Sequence, residues 1–594
     1  MRVKKHITLC VHLFTLDFLR STSATVYGNV GELSTTVFDF IVIGGGTAGA
    51  VVANRLTERL DFEVLVLEAG PTNDGVLDSM VPAFPVKLFN TAYDWNYTAI
   101  IPGMAGVDTR SSNYPRGHIL GGCSSHNAMY YTRGSADDYN ATVTGDAGWS
   151  WEYMLPYMLK NEKWSPPADM HNTSNEFDPS VHGFSGMVFT SLPGFPQPSD
   201  DMVLAVSKQL PNDFPFLLDM NSGRPLGLGW YQGTIGNGTR SSSATAYLSE
   251  TFTARKNLHI VLNTKVTRVH PTSEVDIPRF NTVEISGSST RLIATKELIL
   301  SAGAIGTPQI LMNSGVGDHQ ELQSLGIQTV VNLPSVGKNF TDQPYVIISF
   351  SVSSNNTLDN LANNATLQAE ALAQWELTRT GPYVNGGPNQ ISWSRLPMDS
   401  SILKEFGDPS AGPNTPHIEL TPQTGRIFLP NLPNRHFIST GIQIVTPASR
   451  GTVSLNMTDP LGDPVINLGF FTAGFDLPAM REGIRLAQKL FSAPIWKGYI
   501  IERFSPPENT TTDEGLDAYI RSTTFSSLHA VGTAAMSSED ADYGVVNPDL
   551  LVKSTTGLRI VDASVLPFIT CGHTQAPVYA IAERASDLIK EDWK

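Results

Sequence analysis

Phe38-Asp39-Phe40-Ile41-Val42-Ile43-Gly44-Gly45-Gly46-Thr47-Ala48-Gly49 is the stretch of the chain that decides its fold. The first six residues form a largely apolar run, which is typical of a buried parallel strand. A helical pattern follows from Ala50 to about Leu60, and a second apolar run, residues 63–67, ends at Glu68. This order of strand, Gly-X-Gly-X-X-Gly, helix, strand and acid predicts a Rossmann-like dinucleotide-binding unit.

The residues of this motif have separate predicted roles. Gly44 and Gly46 let the chain turn and approach a pyrophosphate, whereas Gly49 lets the helix and the strand pack closely. The helix N-terminus faces the phosphates, and Glu68 can accept hydrogen bonds from the ribose hydroxyls. The motif does not distinguish a flavin from a nicotinamide dinucleotide.

A second informative stretch is residues 114–129, which reads Tyr-Pro-Arg-Gly-His-Ile-Leu-Gly-Gly-Cys-Ser-Ser-His-Asn-Ala-Met. Gly121 and Gly122 have no Cβ, so the backbone can approach a flat ligand closely. Ser124 and Asn127 can donate hydrogen bonds to the carbonyls and ring nitrogens of such a ligand. Taken alone, the stretch is also compatible with an ordinary surface loop rich in glycine and serine.

Length and composition limit the class of protein. A chain of 594 residues is too long for one simple core and predicts two domains. With 41% hydrophobic and 16% charged residues, it is expected to be compact and globular. The net charge of −16 disfavours nucleic acid or an anionic membrane surface as a partner. No spacing of cysteine and histidine predicts a metal site.

The N-terminus predicts export. Residues 1–24 combine a basic start, an apolar run and a small-residue end, as in a secretory signal. No later segment approaches the roughly 18 apolar residues of a membrane helix. Asn-X-Ser/Thr sequons, which suit a secreted glycoprotein, occur at Asn96, Asn140, Asn172, Asn237, Asn339, Asn355, Asn364, Asn456 and Asn509. Cys123 and Cys571, the cysteines beyond the signal segment, form no disulfide framework.

The rest of the chain predicts a mixed α/β fold with an insertion. Residues 147–230 are rich in proline, glycine and aromatics and are expected to be a loop-rich portion, whereas α/β character returns at 258–262 and 297–300. The last 60 residues regain strand-loop-helix order, with a helix from Pro577 to about Lys590. We therefore expect a discontinuous nucleotide-binding domain and an inserted substrate-binding domain. The former comprises residues 37–110, 231–340 and 530–594, and the latter comprises 111–230 and 341–529.

Four stretches together identify a family resemblance. Residues 44–49, 117–127, 303–317 and 528–577 resemble the motifs of the glucose-methanol-choline (GMC) oxidoreductases, and the similarity spans about residues 38–590. The resemblance implies FAD, with its isoalloxazine ring against residues 121–127, and a substrate domain built on a mainly antiparallel sheet with helices. It further implies cofactor contacts from Arg116, Val266, Asp562 and Thr574.

Two histidines carry the implied chemistry, although either of them alone would more often be structural. His529 lies in Ser-Leu-His-Ala and His573 in Cys-Gly-His-Thr. Together they fit alcohol oxidation, in which one imidazole removes the hydroxyl proton while hydride leaves the adjacent carbon for flavin N5. The other imidazole holds the same oxygen. The family pattern assigns the base to His529 and the assisting role to His573.

His126 and the expected pocket point to a subgroup. Gly-Gly-Cys-Ser-Ser-His-Asn is similar to the loop of choline oxidases and fungal pyranose dehydrogenases, in which this histidine is bonded to the flavin 8α-methyl group. The resemblance implies FAD attached through His126, or else a histidine that only lines the site. The pocket is expected to include Ala128, Leu528 and Phe428. Aryl-alcohol oxidases carry Tyr and Phe at the first two positions, so this chain has more room for a sugar ring.

Two departures and several alternatives remain. Ser527 stands where the pyranose enzymes carry Tyr, and Gln343 where the family usually has His; we expect neither to touch the histidine pair.

The leading hypothesis is a secreted, monomeric dehydrogenase that oxidises secondary hydroxyls of pyranoses and passes electrons to quinones or other acceptors. The alternatives are an aryl-alcohol oxidase producing hydrogen peroxide, a flavin-dependent hydroxynitrile lyase, and a non-catalytic glycoprotein.

Overall fold

The structure, a computed structural model, describes residues 25–103, 108–139, 141–272, 276–427, 432 and 434–594. The predicted signal segment, the sequon at Asn140 and the predicted pocket residue Phe428 lie outside the described residues. Within the described ranges, no helix is both long and apolar enough to cross a bilayer. Cys123 and Cys571 are both free thiols.

An eight-stranded sheet is built around the strand Val37–Ile43. This strand pairs in parallel with Val64–Leu67 on one side and with Arg291–Leu300 on the other. Its residues from Phe40 onward are almost fully buried, as expected for a parallel strand that is covered on both faces. In spatial order the sheet consists of Thr25–Tyr27, Leu258–Val261, Val64–Leu67, Val37–Ile43, Arg291–Leu300, Phe280–Ile285 and Val266–Pro271, with Leu558–Ile560 pairing beside Arg291–Leu300.

A second large sheet has seven strands, and all its pairings are antiparallel. Its central strand, Pro344–Val352, is buried along its whole length. In spatial order the sheet consists of Ile500–Ser505, Pro344–Val352, Phe437–Ile444, Ile418–Thr424, Gln390–Ser394 and Gly227–Trp230, with Phe525–Ser526 pairing beside Pro344–Val352.

The remaining strands form small sheets. One has four strands: Thr452–Ser454, Val465–Asn467, Tyr97–Ile101 and Arg110–Tyr114. Three strand pairs are Ile235–Gly236 with Thr239–Arg240, Val316–Gly317 with Val331–Asn332, and Glu162–Trp164 with Val188–Thr190. The α-helices are Thr47–Leu56, Leu77–Met80, Ala141–Thr144, Trp151–Asn161, Asp200–Gln209, Ser243–Tyr247, Glu250–Thr253, Gly303–Asn313, His319–Ser324, Leu358–Ala362, Ala365–Thr378, Ser401–Phe406, Asp476–Phe491, Asp513–Thr523 and Gln575–Asp592.

The helix after the glycine motif differs from its predicted bounds. It begins at Thr47, three residues before the predicted start, because Gly46 is the extended residue that caps its N-terminus. It ends at Leu56, because the hydroxyl of Thr57 donates to the carbonyl of Ala53 at 2.8 Å and to that of Asn54 at 3.0 Å. The carbonyl of Ala53 also accepts from the backbone N–H of Thr57 at 3.2 Å, so the hydroxyl adds a second bond at the end of the helix.

The stretch predicted to be loop-rich, residues 147–230, contains two helices. Trp151–Asn161 has 11 residues and Asp200–Gln209 has 10. Each buries only a narrow stripe, such as Met154 and Met158, and the first contains a proline. The small number of buried apolar side chains in these helices explains why the prediction missed them.

The two large sheets divide the chain in a discontinuous way. The eight-stranded sheet is mainly parallel, with two antiparallel pairings at the edge formed by Phe280–Ile285 and Val266–Pro271. Its strands come from near the N-terminus, from residues 258–300 and from 558–560, whereas the antiparallel sheet uses 227–230 and strands between 344 and 526. Separate apolar cores surround the two sheets. The mixed α/β fold with a mainly antiparallel second part is confirmed, and the bounds of the two domains stay a prediction.

Candidate active site

A cavity of about 780 Å³ is lined by residues of both large sheets. Ile43, Leu67 and Ser301 reach it from the carboxyl ends of the parallel strands, which is where ligands bind in open α/β sheets. Tyr345, Glu419, Thr421 and Gln443 line it from the antiparallel sheet. Its volume lies within the range of cofactor and substrate sites. The predicted site residues on its wall are Gly44, Gly46, Glu68, Arg116, Gly122, His126, Asn127, Ala128, Val266, Leu528, His529, Asp562, His573 and Thr574.

The glycine motif and the loop at 121–127 meet at one end of this cavity. A Cβ on Gly122 would lie 2.8 Å from the Cα of Gly46, so the two backbones can approach this closely because Gly122 lacks a side chain. A Cβ on Gly49 would lie 1.9 Å from the carbonyl oxygen of Gly44, which explains the close packing of helix and strand. Backbone atoms of glycine residues therefore form the cavity wall at this end.

Three predicted cofactor residues support the wall without lining it: Gly49, Gly121 and Ser124. Gly121 has a φ of 89°, the left-handed conformation that favours glycine. The hydroxyl of Ser124 donates to the carbonyl of Gly121 at 2.7 Å and lies 3.0 Å from the hydroxyl of Ser243. It therefore holds the turn together.

Two predicted acids at the dinucleotide end are buried and bonded to the protein. The carboxylate of Glu68 accepts from the backbone N–H of Gly45 at 2.8 Å and of Gly70 at 2.7 Å. The carboxylate of Asp562 accepts from the N–H of Gly303 at 2.9 Å and caps that helix. Burial raises the pKa of both carboxyl groups. Glu68 retains free lone pairs for a ligand, whereas the oxygens of Asp562 already accept four hydrogen bonds, from Gly303, Thr307 and Ser564.

His126 lies on the cavity wall and has one ring nitrogen without a partner. Its imidazole stacks on Phe89, with ring centroids 5.1 Å apart and an interplanar angle of 20°. Its Nε2 is buried and has no hydrogen-bond partner among the described residues. Burial first, and then the charges of Arg240 and Arg116, lowers the pKa of His126 to about 4, against an opposing effect of Asp94. The ring is therefore neutral at ordinary pH, and its free lone pair can form a bond to a cofactor.

Arg240 supports the same loop and was missed as a site residue. Its guanidinium donates to Asn127 Oδ1 at 2.9 Å and to the carbonyl of Ser79 at 2.6 Å. In the part of the chain that the structure describes, it forms no ion pair, and burial lowers its pKa to about 10. Asn127 in turn donates to Gln575 Oε1 at 2.6 Å. The signal was the run of small polar residues that follows Arg240, to which no role was assigned.

His529 and His573 meet at the other end of the cavity. His529 Nε2 lies 3.1 Å from His573 Nδ1, and the two rings are nearly perpendicular. The backbone N–H of His529 donates to Asp342 Oδ1 at 3.0 Å, and the ring of His573 stacks on Tyr130 with centroids 4.0 Å apart. Burial, helped by His573 and Arg116, holds the pKa of His529 well below its ordinary value. His529 is therefore neutral and able to accept a proton.

The expectation that Gln343 and Ser527 do not touch the histidine pair is wrong for Gln343. Its Oε1 lies 2.6 Å from His529 Nδ1, and it also accepts from the amide of Gln443 at 2.7 Å. Ser527 makes no side-chain hydrogen bond to either histidine, but its hydroxyl donates to Gln443 Oε1 at 2.7 Å, and Gln443 in turn donates to Gln343. The strand Phe525–Ser526 pairs with the start of strand Pro344–Val352, and this pairing brings Gln343 close to His529. No local sequence pattern predicts that pairing.

The carboxylate of Glu419 is the last member of a hydrogen-bonded series that runs from Gln343 through His529 and His573. Glu419, fully buried on the antiparallel sheet, places Oε1 at 3.1 Å from His573 Nε2. Its other oxygen accepts from the indole N–H of Trp393 at 2.8 Å. Glu419 was also missed, because an acidic residue within an apolar strand pattern gives no hint of which histidine it faces. No metal-ligating cluster exists among the described residues.

The residues present fit FAD. The glycine wall with its helix N-terminus suits a pyrophosphate, and the bare turn at 121–127 suits a flat ring. His126, whose buried Nε2 has no partner among the described residues, lies on the wall of the same cavity. Arg116 completes this wall, since its guanidinium donates to the carbonyl of Leu528 at 2.5 Å and so ties the turn to the histidine pair.

Comparisons with known proteins indicate the family to which the chain belongs. Two GMC oxidoreductase family models match residues 38–345 and 447–582. A pyranose dehydrogenase of Agaricus campestris is 44% identical over 97% of this chain and 98% of its own. The dehydrogenase eriK of Hericium erinaceus is 41% identical over 96% and 97%. The solved FAD-dependent oxidoreductase of Chaetomium thermophilum superposes with a TM-score of 0.84 at 30% identity, covering 94% of this chain and 99% of that one. The chain therefore belongs to the GMC oxidoreductase family of FAD-dependent enzymes.

Proposed function

We propose that the protein is a secreted pyranose dehydrogenase that oxidises a secondary ring hydroxyl and passes the electrons to a quinone or a similar acceptor. The observation that carries this proposal is the histidine pair, with 3.1 Å between His529 Nε2 and His573 Nδ1, on the wall of the cavity that the FAD motifs line. The names of several relatives at 42–44% identity support a sugar as the substrate.

In this proposal the two histidines divide the work. His529 Nε2 accepts the proton of the substrate hydroxyl, and the N–H of His573 donates to the same oxygen as its charge develops. Bound FAD supplies the acceptor for the hydride that leaves the adjacent carbon. The backbone of His529 is fixed by Asp342 and the ring of His573 stacks on Tyr130, so both rings are already positioned when the sugar oxygen replaces the bond between them.

The cavity wall near the pair supports a sugar. Ala128 and Leu528 leave space in front of the histidines, and the wall carries polar groups from Gln443, Ser527 and Thr421. Such groups can bind the hydroxyls of a pyranose that do not react. We therefore infer that the polar side of this wall orients the sugar ring.

Aryl-alcohol oxidation is the second candidate, and a specific observation favours it. Tyr345 and Phe525, whose ring centroids lie 5.1 Å apart, also line the cavity and provide an aromatic surface. An enzyme of that type would return electrons to oxygen and release hydrogen peroxide.

Anaerobic bleaching of the flavin separates these functions. We expect D-glucose to bleach the holoenzyme quickly, 4-methoxybenzyl alcohol to bleach it slowly, and the colour to return faster with benzoquinone than with air. Fast bleaching by the aromatic alcohol with rapid recovery in air would overturn the proposal in favour of the oxidase. Bleaching by neither substrate would bring forward the hydroxynitrile lyase, which transfers no hydride.

The covalent attachment of FAD to His126 is part of the proposal. The neutral ring with its unpartnered Nε2 supports it. After acid precipitation, we expect the yellow colour to stay with the wild-type protein and to be released from a His126→Ala variant. Release of the flavin from the wild type would show that His126 only lines the site.

Secretion as a monomer is proposed from residues 1–24 and from the sequons. Asn172, Asn237, Asn355, Asn364 and Asn509 are exposed and accessible to a glycosyltransferase. We expect the full chain, expressed in a fungal host, to appear in the medium with its N-terminus near residue 25 and to lose mass on deglycosylation. Retention inside the cell with an intact N-terminus would contradict this part.

A further inference from the structure

The side-chain amide of Gln343 can adopt only one orientation. Its Nε2 lies 2.7 Å from the carbonyl oxygen of Val445 and 3.3 Å from that of Thr570. A carbonyl oxygen only accepts, so the amide nitrogen must face these two groups. Its Oε1 must then face His529, and the full burial of Gln343 excludes water as a substitute partner.

This orientation decides where His529 carries its proton. Gln343 Oε1 lies 2.6 Å from His529 Nδ1, and an amide oxygen has no hydrogen to donate. His529 Nδ1 must therefore carry a hydrogen. Because a neutral imidazole has a single N–H, His529 Nε2 holds a free lone pair, and this is the nitrogen that faces His573.

The proton positions on the second histidine follow from the first. His573 Nδ1, 3.1 Å from that lone pair, must donate to it. His573 Nε2 lies 3.1 Å from Glu419 Oε1, so a further proton lies between this nitrogen and the carboxylate. The unit of His573 and Glu419 thus carries the donated hydrogen, while His529 carries the lone pair.

We propose that Gln343 is a positioning residue that locks His529 in the Nδ1–H tautomer and so determines which of the two histidines acts as the base. The inference deepens the proposed function and rests on it, since it concerns the base of that reaction. The family pattern assigns the same roles by analogy, whereas here the assignment follows from two backbone carbonyls and one amide. Gln443 extends the lock, because its own amide N–H donates to Gln343 Oε1.

Four of the described ionisable groups surround His529. His573 and Arg116 face the ring, Asp342 accepts its backbone N–H, and Glu419 stands behind His573. No carboxylate contacts the His529 ring among the described residues. A Gln343→Glu variant would supply one at Nδ1 and so favour the imidazolium form, whereas Gln343→Met would remove the acceptor without adding charge.

The test measures the rate of anaerobic flavin reduction by D-glucose against pH in these two variants. For Gln343→Glu we expect the acidic limb of the profile to move to higher pH, because the base is protonated more readily. For Gln343→Met we expect a loss of about 10- to 100-fold at every pH, the usual scale for removing a partner that orients a reacting group. Gln343→His, which restores an acceptor, should recover most of the rate.

A matched control tests for a purely structural effect. Gln197→Met removes a buried amide outside the cavity, where Gln197 bonds to Asn389, and it should leave the profile unchanged. If Gln343→Glu lowers the rate without moving the acidic limb, or if Gln343→Met reduces flavin at the wild-type rate, the proposal is overturned.

A second readout does not depend on the substrate. In ¹⁵N-histidine-labelled holoenzyme, we expect nitrogen shifts of His529 that show a protonated Nδ1, with loss of that preference in Gln343→Met. An Nε2–H tautomer of His529 in the wild type would overturn the lock even if sugars are oxidised. A wild type that no sugar or alcohol reduces, with the Nδ1–H tautomer intact, would instead contradict only the proposed function.

Discussion

Two buried histidine clusters in this molecule have opposite electrostatics. His182 places Nδ1 at 2.9 Å from Glu162 Oε1 and Nε2 at 2.8 Å from Asp219 Oδ2, and Arg133 pairs with the same glutamate at 2.7 Å. His529 instead faces an amide oxygen on one side and a second histidine on the other. The two carboxylates raise the pKa of His182 against the opposing effect of burial, whereas burial and positive neighbours lower the pKa of His529.

The difference separates a structural from a chemical role. In the cluster of Arg133, Glu162, His182 and Asp219, both nitrogens of His182 donate, and two cations balance two carboxylates. Nothing is left to react. In the other cluster a neutral ring keeps a lone pair on the wall of a cavity. Burial of a histidine therefore indicates little by itself, and the identity of its two partners decides its role.

The largest predicted effect comes from a substitution in the cluster of His529, Gln343 and His573. In a His529→Ala variant, we expect anaerobic flavin reduction to slow by roughly 10²- to 10⁴-fold, the range for a general base. Bound flavin, measured by its absorbance per protein, should stay near the wild-type value, and so should the melting temperature. A variant that is reduced at the wild-type rate would remove His529 from the mechanism.

The next effect breaks the structural cluster. Glu162→Gln leaves Arg133 and His182 short of one carboxylate, and the free energy of unfolding should fall by about 3–5 kcal/mol. The rate of flavin reduction per folded molecule should not change. Glu591→Gln, which removes an exposed pair with Lys594, serves as the control and should cost about 1 kcal/mol or less. Equal losses in the two variants would contradict the structural role.

A smaller effect compares the carboxylates of the two clusters. Glu419→Gln removes the charge behind His573 and should slow flavin reduction by about 10- to 100-fold. Asp219→Asn removes the matching charge behind His182 and should lower only stability. Denaturant unfolding and stopped-flow reduction of both variants would test this contrast. It fails if Asp219→Asn slows reduction of the folded enzyme as much as Glu419→Gln does.

The smallest predicted effects are those of pH, because folding shifts the pKa values of His182 and His529 in opposite directions. Because folding raises the pKa of His182, its contribution to stability is fully present below the unfolded value near 6.5 and is lost as the pH rises through the folded value. Each unit of difference between the two pKa values is worth about 1.4 kcal/mol. Because folding lowers the pKa of His529, flavin reduction should persist below pH 6.5. Unfolding free energies and reduction rates across pH would show both trends, and a loss of the reduction rate centred above pH 6.5 on acidification would contradict the second.

Much of the site could be predicted from local sequence. The glycine motif, the loop at 121–127 and the two histidines each lie in a short stretch whose composition indicates its use, and the structure places all of them around one cavity. The residues that tune these groups were not predictable in that way. Gln343, Glu419 and Arg240 each act through a contact between residues more than 100 positions apart in the chain.

The helix bounds show the same limit on a smaller scale. The helix Thr47–Leu56 was predicted in kind, but its end depends on side-chain bonds of Thr57 to carbonyls of its last turn. The helix Trp151–Asn161 was missed because it buries few apolar residues. Packing against distant segments determines such features, and no window of local sequence contains that information.

A stopped-flow isotope experiment can show whether the histidine pair oxidises a secondary hydroxyl. Anaerobic holoenzyme is mixed with D-glucose that carries deuterium at C1, at C2 or at C3, and flavin bleaching is followed in the wild type and in His529→Ala. We predict that deuterium at one or more of the carbons that bear a non-anomeric secondary hydroxyl (C2, C3 and C4, the last tested with a fourth labelled sugar) slows bleaching of the wild type. Deuterium at C1 should have no effect, and the variant should bleach far more slowly with every sugar. Slowing by deuterium at C1 alone, or unchanged bleaching in His529→Ala, would contradict oxidation of a secondary hydroxyl by this histidine pair.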